Sequence, residues 1–292
     1  MAGRHFFLKI ITLGLLFWCG CAPATYLRQT DSRFFSYKKD QTAHISAHRG
    51  GGSYPGYPEN CIPSFAWLAR QMPVIIECDI SMTRDSVLIM MHDDTYNRTS
   101  TGSGKVADSS FAYSQTLQLK DNAGNLTPHR IPTLAEVLEW GKNKVTFTLD
   151  VKRSVPYPRV VDLVKQYRAQ SYAAIITYNA ADAALVHRLD STVMISVTLR
   201  NEADYNRHRE LGVPDHRMVA FVGTRQPDSA WLHTLHQKGI RCILGTLGNL
   251  DKMAAVKGDS LYRQWHQSGA DIMSTDRPLE AWKALQQGKK GL

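Results

Sequence analysis

Val74-Ile75-Ile76-Glu77-Cys78-Asp79-Ile80 decides the fold. Its β-branched run reads as a strand, and residues two apart on a strand share a face. Glu77 and Asp79 therefore point to one side and Cys78 to the other. From His44 onward similar runs recur at His44–Ala47, Val145–Val151, Ala173–Tyr178, Val193–Leu199, Met218–Val222, Arg241–Leu244 and Asp271–Ser274. Amphipathic stretches separate them, at Cys61–Gln71, Leu134–Trp140, Val160–Arg168, Ala181–Leu189, Glu202–Leu211, Ser229–Gln237, Ser260–Gln267 and Leu279–Gln286. Strands alternating with helices build a parallel sheet. Eight of each predict a (β/α)8 TIM barrel. A doubly wound open sheet competes, but no GxGxxG turn follows the first strand. Glycines at 141, 212, 239 and 269 suit left-handed caps at helix ends.

One stretch breaks the rhythm. An insertion at about 81–132 follows the second strand, with an extra strand at Val87–Met91 and a polar Ser/Thr/Gly/Asn-rich run from Thr95 to Asn125. It lies on a βα loop, the side where barrels keep their chemistry.

The chain has 292 residues, 43% of them hydrophobic and 21% charged, enough for one large core. This excludes a disordered tail, a small disulfide scaffold and a fibrous repeat. The net charge of +9 suits anionic ligands or a membrane surface. Scattered Lys and Arg, without aromatic interleaving or zinc-finger spacing, argue against a nucleic-acid partner.

Three clusters arrive at the carboxyl ends of the first three strands: His48-Arg49-Gly50 with Glu59-Asn60, Glu77 and Asp79 with His92-Asp93, and Asp150 with Lys152. Three carboxylates aimed into one barrel mouth repel unless a cation lies between them. Oxygen ligands favour Mg²⁺ or Ca²⁺ over zinc. Each piece alone has a plain alternative: an exposed acid pair, a loop-bonding His48, a helix-capping Arg49, an Asp150–Lys152 ion pair. Glu59 and Asp93 either orient a histidine or metal-bound water, or cap loops. Tyr54 and Tyr57 either stack on a substrate or anchor their loop. His233 and His236, three apart on a helix, lack a third ligand and read as a solvated face. Joint arrival at the mouth favours catalysis.

The ordered set resembles the glycerophosphodiester phosphodiesterase family. The resemblance rests on His48-Arg49-Gly50, Pro58-Glu59-Asn60, Ile76-Glu77-Cys78-Asp79-Ile80, Thr83-Arg84-Asp85, Met91-His92-Asp93, Asn97-Arg98-Thr99, Gly102-Ser103-Gly104, Ile131-Pro132-Thr133-Leu134, Gly269-Ala270-Asp271 and Thr275-Asp276-Arg277-Pro278. It runs from about His44 to Pro278. It implies hydrolysis of glycerophosphodiesters to glycerol 3-phosphate and an alcohol, on a barrel with an insertion after the second strand. Glu77 and Asp79 would be metal ligands, joined by Asp150; His48 and His92 the acid–base pair; Arg49 the phosphate ligand, supported by Lys152. The glycerol 2-hydroxyl would attack phosphorus to give a cyclic phosphate, which water then opens. Other readings of the same site are a phospholipase of C or D type acting on intact lipid, or a binding protein with a degenerate site.

The chain departs from the family pattern in three places. Asp150-Val151-Lys152 replaces the usual Glu-Ile-Lys, losing one methylene of reach. Cys61 stands where threonine is usual. The seventh barrel strand reads Ile243-Leu244-Gly245-Thr246-Leu247-Gly248-Asn249 where the family often has a Trp-Thr-Val-Asn-like segment.

Before the barrel, Arg4 and Lys9 precede an apolar stretch, Ile10 to Trp18, too short to span a bilayer, which takes about 20 residues. Residues 1–20 read as a signal peptide and residues 21–43 as a linker. Gly20-Cys21 resembles a bacterial lipoprotein cleavage site. The expectation is export to the periplasm or cell envelope, with Cys21 lipidated and the protein membrane-anchored. Cys61, Cys78 and Cys242 then remain, an odd set without framework spacing, so no structural disulfide network is expected.

Overall fold

A computed structural model describes residues 34–39, 42–226 and 228–287. The leader and Cys21 lie outside the described residues. The first barrel unit is strand β1 (His44–Ala47), a left-handed loop, helix α1 (Ile62–Gln71) and strand β2 (Ile75–Met82). The insertion adds a short strand, β3 (Leu88–Met90), and a helix, α2 (Phe111–Thr116). Helix α3 (Leu134–Gly141) returns the chain to the barrel. Strands β4 (Thr146–Val151), β5 (Ala173–Thr177), β6 (Met194–Thr198) and β7 (Met218–Phe221) then alternate with α4 (Tyr157–Gln166), α5 (Ala180–Leu189), α6 (Glu202–Glu210) and α7 (Ser229–Gln237). Strand β8 (Arg241–Gly245) leads to two helices, α8 (Asn249–Lys257) and α9 (Leu261–Gln267), before β9 (Ile272–Thr275) and α10 (Pro278–Gln287).

Strands β1, β2 and β4 to β9 pair in parallel, and β1 bonds both β2 and β9, so the sheet closes on itself. This is the (β/α)8 barrel. Strand β3 pairs antiparallel to β2 outside the ring. Two details depart from expectation. Helix α8 is an extra element, and Gly141 caps nothing: Asn143 takes the left-handed turn, at φ 60°. Gly141 is small because a Cβ there would lie 2.1 Å from the Phe147 ring. The glycines at 212, 239 and 269 do have positive φ.

Parity along each strand sorts the core. Ile45, Cys78, Leu149, Ile175 and Val197 face the helices, whereas Ile75, Ala174, Met194, Val219, Ile243 and Ile272 fill the lower barrel. Residues 34–39, at the end of the expected linker, close the amino-end face, hereafter the floor. Phe35 inserts into that inner cluster at 2% exposure, Tyr37 N donates to Gly239 O, and Arg241 Nη1 donates to Phe34 O. His236 is not part of a solvated face either. Its ring bonds Asp271 at 2.9 Å and stacks on Tyr37.

The polar insertion packs a small core of Ile89, Met91, Tyr96, Val106, Leu117, Leu119 and Ile131 around Cys61, the residue before α1. That core holds it as a fixed wall on one side of the mouth, tied across by Asp121, which accepts from Gly56 N.

Candidate active site

Three inward positions converge because strand register brings them level. Asp79 of β2 lies beside Asp150 of β4, and Glu77 sits one inward step below Asp79. One oxygen from each of Glu77, Asp79 and Asp150 falls within 4.8 Å of the others, and all three residues are buried. Burial pushes the Glu77 carboxyl up to about 8, and the Asp79 charge adds to the shift. Asp79 also suffers burial, but the Lys152 ammonium outweighs it and holds that carboxyl below its ordinary value. Lys152 Nζ donates to Asp79 Oδ1 at 2.5 Å and to Asp150 Oδ2 at 3.0 Å. Three buried acids with one lysine leave the cluster short of positive charge. The donors are all oxygen and closely spaced, so they fit a hard divalent cation.

The loop after β1 is shaped by glycine. Arg49 sits at φ 54°, Gly50 at φ 70°, and a Cβ on Gly50 would lie 2.0 Å from the Phe65 ring. A non-glycine residue in the left-handed region costs of order 1–3 kcal/mol. Here the conformation turns Arg49 N onto Glu77 Oε2 at 2.7 Å and swings the guanidinium over the cluster. Arg49 Nη1 lies 3.3 Å from Glu59, while its Nε is buried with no hydrogen-bond partner. A buried orphan donor invites an anionic oxygen.

Each catalytic-candidate histidine is held by a carboxylate on the same ring nitrogen. His48 Nδ1 meets Asp276 Oδ1 at 2.7 Å, and His92 Nδ1 meets Asp93 Oδ1 at 2.7 Å. That leaves both Nε2 atoms for substrate. Burial alone would lower the His48 pKa, but the Asp276 bond and the Glu77 charge carry it above the ordinary value. His92 arrives on the segment leaving β3, where Met91 N donates to Asp79 O.

Four partners were not assigned roles from the sequence. Asp276 anchors His48. Asn60 clamps Asp79, donating from Nδ2 to Oδ2 at 2.8 Å and accepting from its backbone N at 2.9 Å. Arg98 bridges Asp93 and Glu59, at 2.7 Å and 2.8 Å. Tyr178 donates to Asp150 Oδ1 at 2.5 Å. Glu59 thus aligns two arginines, Arg49 and Arg98; neither histidine bonds it. Tyr54 and Tyr57 pack on Trp67, which leaves them as loop anchors.

Beneath the carboxylates a cavity of about 240 Å³ runs into the barrel. The hydroxyls of Ser46, Thr148, Ser196 and Ser274 line one part, and Ile176, Phe221, Ile243 and Leu247 another. Barrel interiors are usually filled by bulky branched residues. The small hydroxyl residues keep this one open. On the far side of His48, a shallower polar recess is lined by Arg49, Glu59, Asn122 and Asp276. The site can therefore grip a charged centre at the carboxylates and place a group on either side.

Comparison with known proteins bears on the fold and the family. A crystal structure of a glycerophosphoryl diester phosphodiesterase from Parabacteroides distasonis superposes with a TM-score of 0.85 at 32% identity, covering 90% of this chain and 94% of that one. An Oleispira antarctica phosphodiesterase, solved with the product sn-glycerol-3-phosphate, has the same fold at TM-score 0.68 and 18% identity, covering 84% and 97% of the two chains. Among curated sequences, the mouse glycerophosphodiester phosphodiesterase 1 is 34% identical over 137 residues, which is 41% of this chain and 40% of the relative. A putative glycerophosphodiester phosphodiesterase of Bacillus subtilis is 34% identical over 110 residues, 37% of this chain and 44% of the relative. The matched stretches thus span under half the length of these curated relatives. The family model for glycerophosphoryl diester phosphodiesterases, in contrast, matches residues 48–278, from the first histidine of the mouth to the start of the last helix. With that span and this fold, the chain belongs to the glycerophosphoryl diester phosphodiesterase family.

Proposed function

We propose that the protein hydrolyses glycerophosphodiesters to glycerol 3-phosphate and an alcohol. The observation that carries the reading is the charge-deficient cluster of Glu77, Asp79 and Asp150, overhung by an Arg49 Nε that lies 3.8 Å from Asp79 without a hydrogen bond, and flanked by two carboxylate-anchored histidines. Glu77, Asp79 and Asp150 would hold Mg²⁺ or Ca²⁺, which supplies Lewis-acid neutralisation of the phosphoryl oxygens. Arg49 binds one of those oxygens through Nε. Lys152 offsets the remaining charge while fixing Asp79 and Asp150. One histidine takes the proton of the glycerol 2-hydroxyl as that oxygen attacks phosphorus, and the other protonates the departing alkoxide. The cyclic phosphate is then opened by water with the roles reversed. Asp276 and Asp93 set the ring tautomers, and the hydroxyl-lined cavity offers partners for a polyol.

The chain is further proposed to be exported and tethered to the cell envelope through a lipidated Cys21, as its short apolar leader and Gly20-Cys21 imply. An assay of purified protein on glycerophosphocholine, glycerophosphoethanolamine and intact phosphatidylcholine tests the reaction. Glycerol 3-phosphate is expected from the first two alone. Release of diacylglycerol or phosphatidic acid would replace this reading with a phospholipase, and no turnover of any of them would leave a binding protein.

The Asp276 contact predicts a pH effect. A general base works when neutral, so activity rises as pH passes upward through its pKa; a general acid gives the opposite limb. Asp276→Asn removes a cause that raises the His48 pKa, so whichever limb His48 governs should move to lower pH. A kcat/KM profile whose limbs stay in place would show that Asp276 does not tune the histidine.

A further inference from the structure

The net positive charge is not spread over the barrel. Every αβ turn of a barrel lies on the amino-end face, and on this one six of those turns carry Lys or Arg. Arg70, Lys165, Arg188 and Arg209 occupy the last turns of α1, α4, α5 and α6, and Lys142 and Lys238 follow α3 and α7. All six are exposed. The acids on this face are fewer, and three of them are engaged: Asp215 pairs with Arg209, Glu210 with Arg207, and Asp190 accepts from Thr192 and Gln170, while Glu139 in the last turn of α3 stands exposed. On the mouth face acids take the first turns of the helices instead, at Asp182, Glu202, Asp204 and Glu280, with Arg200 pairing with Asp204.

Helix dipoles favour this sorting, since cations stabilise helix carboxyl ends. They do not account for Lys38, which is exposed on the segment that closes the floor and belongs to no helix. That segment is also where the preceding chain joins the molecule. Its anchor, Phe35, is buried in the floor, so the polypeptide leading back to Cys21 departs from the basic face. Between Cys21 and Phe34 the chain spans at most about 45 Å when fully extended.

We infer that the basic floor is a docking surface for an anionic bilayer, so that the barrel stands with its catalytic mouth toward bulk water. The choice of a bilayer over another polyanion rests on the anchoring proposed above; the charge asymmetry does not. No described helix is long and apolar enough to cross a membrane, so the contact is peripheral and electrostatic. Lys and Arg side chains held near an anionic surface each strengthen binding about fivefold, and salt weakens the attraction. With the mouth turned outward, the enzyme draws on water-soluble diesters rather than on lipids of the membrane that holds it.

The test uses the chain from residue 21 onward, which keeps every described residue, carrying Cys21→Ser so that no lipid contributes. Co-sedimentation is measured with vesicles of phosphatidylcholine alone and with one quarter phosphatidylglycerol. Binding to the anionic vesicles only, lost in high salt, is expected. Arg70→Gln, Lys165→Gln and Arg188→Gln together should weaken it roughly a hundredfold, with turnover in solution unchanged. Vesicle-bound protein should turn over a soluble glycerophosphodiester as fast as free protein. Equal binding to both vesicle types, binding to neither, or an unaffected triple variant would overturn the docking surface. Turnover lost on the vesicle would overturn the orientation. Incorporation of labelled palmitate by the wild-type chain in cells reports the Cys21 anchor separately, so its failure leaves the vesicle result to be judged alone.

Discussion

Removal of divalent metal is expected to abolish turnover, by at least about 10³-fold, and Mg²⁺ or Ca²⁺ should restore it. The reason is electrostatic. Glu77, Asp79 and Asp150 bring three carboxylates within one ion's reach, with only Lys152 and the edge of Arg49 to balance them. In the metal-free fold burial, with the Asp79 charge adding to it, raises the Glu77 pKa from 4.5 to about 8. A raised folded-state pKa is stability that is complete below the unfolded value and lost as pH climbs through the folded one. Chelated protein should therefore lose stability between about pH 4.5 and pH 8. Bound metal should oppose that loss, with stabilisation of about 2.7 kcal/mol at a hundred times its Kd. Glu77→Gln removes both the charge and a ligand, so the chelated variant should show a flatter pH profile and little melting shift on adding metal. Asp150→Glu, which restores the family's longer acid, should keep part of the activity; Asp150→Ala should weaken metal binding. Calorimetric melting with and without chelator, beside the turnover assay, checks all of these. A metal-stripped sample with full activity would remove the cation from the reaction.

The barrel was legible because its signal is local. β-branched runs of strand length recur with amphipathic stretches between them, and parity within Val74–Ile80 alone aims Glu77 and Asp79 inward. What escaped depends on distance in space. Asp276 was visible as part of Thr275-Asp276-Arg277-Pro278, but its bond to His48 joins the two ends of the barrel sequence, where β1 meets β9. Asn60 has two reasons to be where it is: it tolerates φ 56° and its amide clamps Asp79, and neither shows without the fold. Tyr178 looked like the end of a strand, yet its hydroxyl holds a candidate ligand. Helix α8 was missed for a plainer reason, since Asn249–Lys257 buries only Leu250, Asp251 and Ala254 and has a weak apolar face. The insertion looked like polar loop because its core residues come singly along the chain and meet only in three dimensions.

His48→Ala and His92→Ala should each lower turnover at least about 10²-fold, the usual worth of a positioned acid or base. The fold should survive, because both rings sit at the mouth, partly exposed, and outside the packed clusters. Stability need not be untouched: His48→Ala strands Asp276, whose carboxyl the ring helps hold below its ordinary value against burial. Asp276 keeps a backbone bond from its neighbourhood and is solvent-accessible, so the cost stays small beside the loss of a catalytic proton. In the proposed reaction one histidine takes the proton of the attacking hydroxyl while the other gives its own proton to the departing oxygen, so either one alone leaves the same transfer step incomplete. Removing both should therefore cost much less than the product of the single losses. Turnover on a glycerophosphodiester, set against thermal unfolding of the two single variants and the double, separates chemistry from folding. Losses that multiply in the double variant would mean two independent roles, and a single variant that keeps near-wild-type turnover would make its histidine structural.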